Sequence, residues 1–389
     1  MREIYLDNSA TTPLSDAAKA KMLEAMERYG NPSSLHSVGQ SAERLVSEAR
    51  EQILRGLGLR PRSKDGVLVF TSCGTEATSL ALFGTAHAKA RRTASRILTT
   101  DSEHPSVARA MERLEQEGFE VVRIPTKSGV LDQTALTAAL DKPILLASFM
   151  LVNNETGALY RVADAFRAIK ARYPDAVTHC DAVQGFMKTS FTPGTLCADL
   201  ITLSGHKVHA PKGVGALYIA APLLKAKKIV PFLVGGGQED GMRSGTENVI
   251  GIAAFGAAVE DLRKQKETLH AHIAELRAYA EEKLGKLDLR INRPASEFLP
   301  HILNITLPDI KSETMLHALS ADGIFVSSGS ACSSHSHHPS ESLLAFGLSP
   351  KEADCSLRIS LSGYNTAEDV DALCASLEQN LQRLVRVRS

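Results

Sequence analysis

The sequence has no surplus of charge, its 44 lysines and arginines being matched by 44 aspartates and glutamates. With neither a net field nor a local basic patch, direct contact with nucleic acid or with a membrane surface is not expected. No apolar run is long enough to cross a bilayer; the longest, around Ile250 to Val259, is short and rich in Gly and Ala. The first residues lack the basic and apolar regions of an export signal, so the expected compartment is the cytoplasm. Close pairs of cysteines are missing too. Cys73, Cys180, Cys197, Cys332, Cys355 and Cys374 are scattered, which argues against a zinc knuckle, a redox couplet or a disulfide framework.

What is present is ordinary in bulk and particular in detail. At 389 residues with 43% hydrophobic content, the chain can build a large core and is long enough for two domains. Most of its cysteines are expected to be small buried residues. Cys332 is the exception, because Ser327-Ser328-Gly329-Ser330-Ala331-Cys332-Ser333-Ser334 suits neither a core helix nor a packed strand. A thiol there is expected to be accessible.

Periodicity predicts the framework. Ala18, Met22, Ala25, Met26 and Tyr29 recur at helical spacing behind a Ser15 cap, and a second apolar stripe runs from Val38 to Leu57. Strands are then predicted at 67–70, 97–100, 119–124, 144–149, 177–180, 200–203 and 214–219, with helices between most of them, one reaching from Gly74 to about Arg92. Such alternation calls for a mostly parallel α/β sheet covered on both faces. A long helix from Val249 to about Leu284 leads to a smaller α+β domain.

Ligands of such sheets collect at the C-terminal strand ends, and the polar residues gather there. Ser204-Gly205-His206-Lys207 ends one strand and supplies a lysine able to form a Schiff base with an aldehyde cofactor such as pyridoxal phosphate. Gly74 and Thr75 open a helix whose unpaired N–H groups suit a phosphate. His104 suits stacking on the ring and Asp181 its pyridinium nitrogen, while Asn154 and Gln184 sit at neighbouring strand ends. The loop Arg243-Ser244-Gly245-Thr246 offers a second anion contact. Singly, each residue has a plain structural explanation as a cap, a turn residue or a solvated lysine. Their coincidence at one sheet edge favours the cofactor.

The motifs Tyr5 to Pro13, Gly30-Asn31-Pro32-Ser33-Ser34, Thr75-Glu76, Glu103-His104-Pro105, Val152 to Glu155, Asp181 to Gln184, Ser204 to Lys207, Arg243 to Thr246 and Ser327 to Cys332 together carry a resemblance. Along essentially its whole length the chain resembles the cysteine desulfurases, class V members of the fold-type I pyridoxal-phosphate enzymes. Its Cys332 loop looks like that of the NifS/IscS-like group. The resemblance implies a cofactor-binding large domain over residues 1–258 and a small domain over 259–389, with about the first 15 residues joining the latter. It also implies that Lys207 carries pyridoxal 5′-phosphate, Asp181 pairs with the ring nitrogen, His104 stacks, and Gln184 reaches the ring oxygen. Gly74, Thr75, Ser204 and His206 would bind the phosphate, with Thr246 lent by the other subunit of a homodimer. Asn154 and Arg358 would hold the substrate carboxylate.

The implied reaction takes L-cysteine to L-alanine, with Lys207 as base and Cys332 accepting the sulfur as a persulfide. Cys332 would then contact an iron–sulfur cluster under assembly on a scaffold partner, or pass sulfur to another acceptor such as a tRNA-thiolation relay. Three departures stand out: Cys73-Gly74 in place of Gly-Ala, Ser362-Gly363 after the Arg358 strand, and Ser333-Ser334-His335-Ser336-His337-His338 after the thiol. Those histidines are expected to be solvated loop residues rather than metal ligands. Other readings remain. A selenocysteine lyase or an aminotransferase would keep Lys207 and Asp181 without requiring Cys332, and a non-catalytic sulfur-relay or phosphate-binding protein would need no turnover.

Overall fold

The computed structural model describes residues 2–60, 63–88, 94–328 and 339–384. Its elements begin with β1 (Ile4–Tyr5), α1 (Asp16–Met26), α2 (Ser37–Gly56), β2 (Gly66–Thr71), α3 (Gly74–Ala86), β3 (Arg96–Thr100), α4 (Pro105–Gln116), β4 (Glu120–Ile124) and α5 (Gln133–Ala139). There follow β5 (Ile144–Met150), α6 (Val162–Arg172), β6 (Val177–Asp181), α7 (Pro193–Leu196), β7 (Leu200–Ser204), β8 (Gly215–Ala220), α8 (Ala221–Lys225) and α9 (Val249–Leu284). The rest comprises β9 (Arg290–Ile291), β10 (Ile302–Thr306), α10 (Ser312–Ala321), β11 (Ile324–Phe325), α11 (Glu341–Phe346), α12 (Pro350–Asp354), β12 (Ser356–Ser360) and α13 (Ala367–Arg383).

Seven strands form one sheet in the order β2-β8-β7-β6-β5-β3-β4. Only β8 in this sheet runs against its neighbours; β7, β6, β5, β3 and β4 pair in parallel. The strands read as continuous apolar runs such as Ile144 to Met150, which is the pattern of strands covered on both faces. Alternation then sorts their side chains. Leu68 and Phe70, Leu98, Ile201 and Leu203 enter one core with α2, α6 and the start of α9, while Val69, Ile97 and Leu200 enter another with α3 and α4. The result is the expected α/β layering.

A further core forms around the three-stranded antiparallel sheet β12-β10-β9 and the parallel pair β1-β11. It joins Ile4 and Leu6 to Leu303, Ile305, Leu357, Ile359 and the apolar stripes of α10 and α13. The 36 residues of α9 serve both regions, with Ile252, Phe255 and Val259 in the first core and Ile273, Leu276 and Leu284 in this one.

Three local expectations shift. The α3 helix ends at Ala86, with His87 as its cap, instead of running to Arg92. The α1 helix ends at Met26, so Tyr29 lies beyond it and, like Met26, is exposed rather than part of a buried stripe. Cys180, Cys355 and Cys374 are buried as expected, but Cys73 and Cys197 are half-buried because each caps a helix end at the surface of a core.

The packing of α2 on α9 leaves no room at Gly256, where a Cβ would stand 2.5 Å from the Ala49 Cα. Gly256→Ala should therefore cost about 1–3 kcal/mol through overpacking. The check is a lowered urea midpoint for the transition that reports this core; an unchanged midpoint would contradict the close helix approach.

Candidate functional site

A cleft opens at the C-terminal edge of the seven-stranded sheet. It is lined by Gly74, Thr75, His104, Asn154, Asp181, Gln184, Ser204, His206, Lys207 and Arg358, so the structure brings these sequence-predicted residues together. Parallel pairing explains the convergence. Met150 lies opposite Asp181, and Asp181 opposite Thr202, so the ends of β5, β6 and β7 arrive side by side.

Lys207 stands on the tight turn Gly205–Lys207 that leaves β7. Its Nζ donates to the carbonyls of Ser9 at 2.6 Å and Ala10 at 2.8 Å. The N-terminal segment is itself fastened to this turn, the Thr12 N–H donating to the His206 carbonyl at 2.9 Å. On the other side, Gly215 of β8 lets the chain before α3 approach; a Cβ there would lie 2.5 Å from the Cys73 carbonyl carbon. These contacts set the amine beside the start of α3.

The α3 helix begins at Gly74 behind Cys73, which provides no side-chain cap, so its first N–H groups meet the cleft without an internal acceptor. A Cβ at Gly74 would come 3.3 Å from both Ser204 Cβ and Val183 Cγ2, in the space an incoming group needs. Unpaired N–H groups and the helix dipole favour an anion here. The Cys73 thiol lines the same space.

Burial shapes the titrating groups. Asp181 is buried, which pushes its carboxyl up to about 6 against the opposing pull of the Val183 N–H at 3.0 Å and the Lys207 charge. A cation placed beside it would draw it down again, as a protonated ring nitrogen does. His104 is lowered to about 4 by burial and by Lys207. Its Nδ1 accepts the Ser106 N–H at 3.1 Å, which leaves a neutral imidazole carrying its proton on Nε2. His206 falls to about 3 through burial and then the charge of Lys207. Glu103 rises to about 8 in a buried position, bonded to Thr100 at 2.7 Å and the Met150 N–H at 2.9 Å.

Arg358 on β12 is among the largest fully buried side chains, 1% exposed. Its guanidinium donates to Asp7 Oδ1 at 2.7 Å and to the Asn154 carbonyl at 3.1 Å, while its Nε is buried without a partner. An unsatisfied donor in a guanidinium lining the cleft fits a carboxylate ligand. The segment that carries the expected thiol is anchored close by. Ser327 pairs with Arg358 through two backbone hydrogen bonds, and Ser340 donates to the buried Glu155 at 2.7 Å. Cys332 itself, with His335, His337 and His338, lies outside the described residues.

The Gly-rich loop lies outside this cleft. Thr246 does not line this cleft but a neighbouring pocket with Ser72, Arg243 and Glu247. Arg243 was expected to contact an anion and instead pairs through two nitrogens with Glu76, at 2.7 and 3.2 Å. Glu76 stands in the first turn of α3, within reach, and a carboxylate is a fixed partner. Sequence reasoning also missed Ser106 and Lys188. Ser106, whose hydroxyl lies 2.8 Å from His104 Nδ1, was signalled by its place just after the His-Pro helix entry. Nothing local in the sequence signalled Lys188, whose Nζ reaches Gln184 at 3.1 Å.

An amine, an uncapped helix start, a buried carboxylate, a neutral imidazole and an amide donor form a donor set that fits pyridoxal phosphate. Among the described residues no helix is long and apolar enough to cross a membrane, and no cluster of His, Cys, Asp and Glu has the makings of a metal site.

Comparison with known proteins identifies the family. The aminotransferase class-V family pattern matches residues 4–373. A protein of Nostoc sp. named cysteine desulfurase is 38% identical over 388 residues, covering 99% of this chain and 94% of the relative. A solved NifS-like protein superposes with a TM-score of 0.89 at 35% identity, covering 98% of this chain and all of the other. A structure described as SspA in complex with cysteine matches with a TM-score of 0.78 at 30% identity, covering 94% of this chain and all of the other. With a family pattern spanning nearly its whole length and relatives aligned end to end, the chain belongs to the aminotransferase class-V family and has the fold of its NifS-like members.

Proposed function

We propose that this chain is a pyridoxal-phosphate-dependent cysteine desulfurase, converting L-cysteine to L-alanine and passing the sulfur to Cys332. The observation that carries the reading is the convergence of Lys207, Asp181, His104 and Arg358 on one cleft beside the uncapped start of α3. When bound, pyridoxal phosphate supplies an aldehyde for amine exchange and a ring that withdraws electrons from the substrate Cα.

The residues of the chain do the rest. The first N–H groups of α3 at Gly74 and Thr75, with Ser204 and His206, bind the phosphate. Asp181 would hold a proton on the ring nitrogen, His104 would pack its neutral imidazole on the ring face, and Gln184 would donate to the ring oxygen. Arg358, fixed by Asp7, and Asn154 orient the substrate carboxylate. With the cofactor in place, Lys207 Nζ would take the Cα proton and return it to Cα as alanine forms. The Cys332 sulfur then bonds to the substrate sulfur as the substrate Cβ–S bond breaks; the electron pair stays on carbon, is protonated, and leaves alanine and a persulfide. No outside oxidant or reductant is needed for that step.

The fit of Thr246 to a pocket outside the cleft supports its being lent to the other subunit of a homodimer. Leu23, Met26, Tyr29 and Leu35 near α1, with Leu233 and Val234 ahead of the Thr246 loop, are exposed apolar groups of the kind a subunit interface covers. The final sulfur acceptor is a protein able to meet the persulfide of Cys332, an iron–sulfur scaffold or another sulfur carrier.

Alanine and sulfide assays with L-cysteine and a thiol reductant test the proposal; equal amounts of both are expected, and alanine without released sulfur would overturn it. Asp181→Asn should retain the cofactor yet lose turnover by at least about 100-fold, because the ring nitrogen is no longer kept protonated. Near-normal turnover would remove Asp181 from that role. Cys332→Ser should preserve the spectral response to added cysteine while alanine formation falls to background, since a hydroxyl cannot hold a persulfide. In the unmutated protein, mass spectrometry without reductant should find one extra sulfur atom on the Cys332 peptide and none on the peptide containing Cys73. The reverse labelling would reassign the acceptor.

A further inference from the structure

Gln184 is held from both ends. Its Nε2 donates to the Ser9 carbonyl at 2.9 Å, the same oxygen that accepts Lys207 Nζ at 2.6 Å. Its Oε1 accepts from Lys188 Nζ at 3.1 Å. The turn that follows β6 makes this possible: Phe186 N–H bonds to the Ala182 carbonyl and Thr189 N–H to the Gly185 carbonyl, so residues four apart share one side. A side-chain amide has two chemically opposite ends, and the network permits one orientation. Lys188 Nζ carries N–H donors in either charge state and donates here, so the amide oxygen faces Lys188, while the Ser9 carbonyl takes the amide N–H.

Lys188 stands between this cleft and a second crevice of about 510 Å³, which it lines together with Ser9 and Lys207. Its surroundings are basic. Burial first, then the charges of Lys207 and Arg358, lower it to about 7. His206, His209 and His301 lie within its field, and Lys266 and His270 of α9 line the same crevice. Holding a lysine among these bases costs stability, and none of them offers it a negative charge. The hydrogen bond it makes is to Gln184.

We propose that Lys188 is a positioning residue that acts through Gln184, keeping the N–H of that amide, rather than its carbonyl, toward Ser9, Lys207 and the ring oxygen of the cofactor. The inference rests on the cofactor reading given above. A donor at the ring oxygen stabilises that oxygen's negative charge and loosens its hold on the proton of the adjacent lysine linkage. Without Lys188 the Oε1 end loses its donor, the Ser9 carbonyl alone holds the amide, and the side chain swings away from the ring oxygen more readily, which weakens the donor there.

The experiment is a pH titration of the visible absorbance of the bound cofactor in the wild type, Lys188→Met, Gln184→Leu and the double variant, with cofactor content and thermal midpoint confirming the fold. Lys188→Met should raise the titration midpoint by about one pH unit, and Gln184→Leu by a similar amount. The double variant should shift no further than the larger single change, because the two residues act in series. If Lys188→Met fails to fold, Lys188→Gln is titrated in its place with the same expectation. An unshifted midpoint in the Lys188 variant, or shifts that simply add in the double variant, would overturn the inference. A wild type without visible absorbance would instead overturn the cofactor reading.

Discussion

The cleft depends on how the segment from Ile4 to Pro13 ties the small core to the end of β7. Ile4 and Tyr5 pair with β11, and the Ser360 N–H donates to the Leu6 carbonyl at 2.7 Å. Asp7 holds Arg358, the Ser9 and Ala10 carbonyls hold Lys207, and Thr12 meets the His206 carbonyl. This one segment, extended at Ile4–Tyr5 and turning at residues 8–10, thus fixes the distance between the guanidinium and the amine. Ile4 and Leu6 anchor its first half in the small core, and hydrogen bonds to the backbone of Ser360, His206 and His209 fix the rest.

The electrostatics follow from the same closure. Burial raises Asp181 and Glu103 and lowers His104 and His206, which moves each toward its neutral form. The Lys207 amine and the Arg358 guanidinium are held in the cleft by backbone carbonyls and by Asp7. Under the proposed function, the start of α3 would meet the cofactor phosphate and Arg358 the substrate carboxylate. The cleft is therefore built for anions at two places, the start of α3 and the Arg358 end.

Much of this was legible in the sequence because it is local. Strand-ending motifs such as Ser204 to Lys207 and Asp181 to Gln184 lie where parallel sheets place their ligands, and the helix entry at Gly74 is marked by small residues. Long-range partners were not legible. That β8 runs antiparallel and seats Gly215 against Cys73, that Arg243 is taken by Glu76, and that Lys188 reaches back to Gln184 all depend on chain crossings or turn geometry that periodicity does not encode. The burial that moves Asp181 and His104 is likewise a property of the closed cleft rather than of either motif.

The account turns on which amine carries the cofactor. Lys207 and Lys188 both line the crevice behind the cleft, and Lys212 follows closely in the chain, so identification by activity alone is indirect. Reduction of the loaded protein with borohydride, followed by proteolysis and peptide mass spectrometry, locates the attachment chemically. The account predicts a single phosphopyridoxyl group on the peptide containing Lys207. The group on Lys188 or Lys212, or no stable adduct at all, would contradict it.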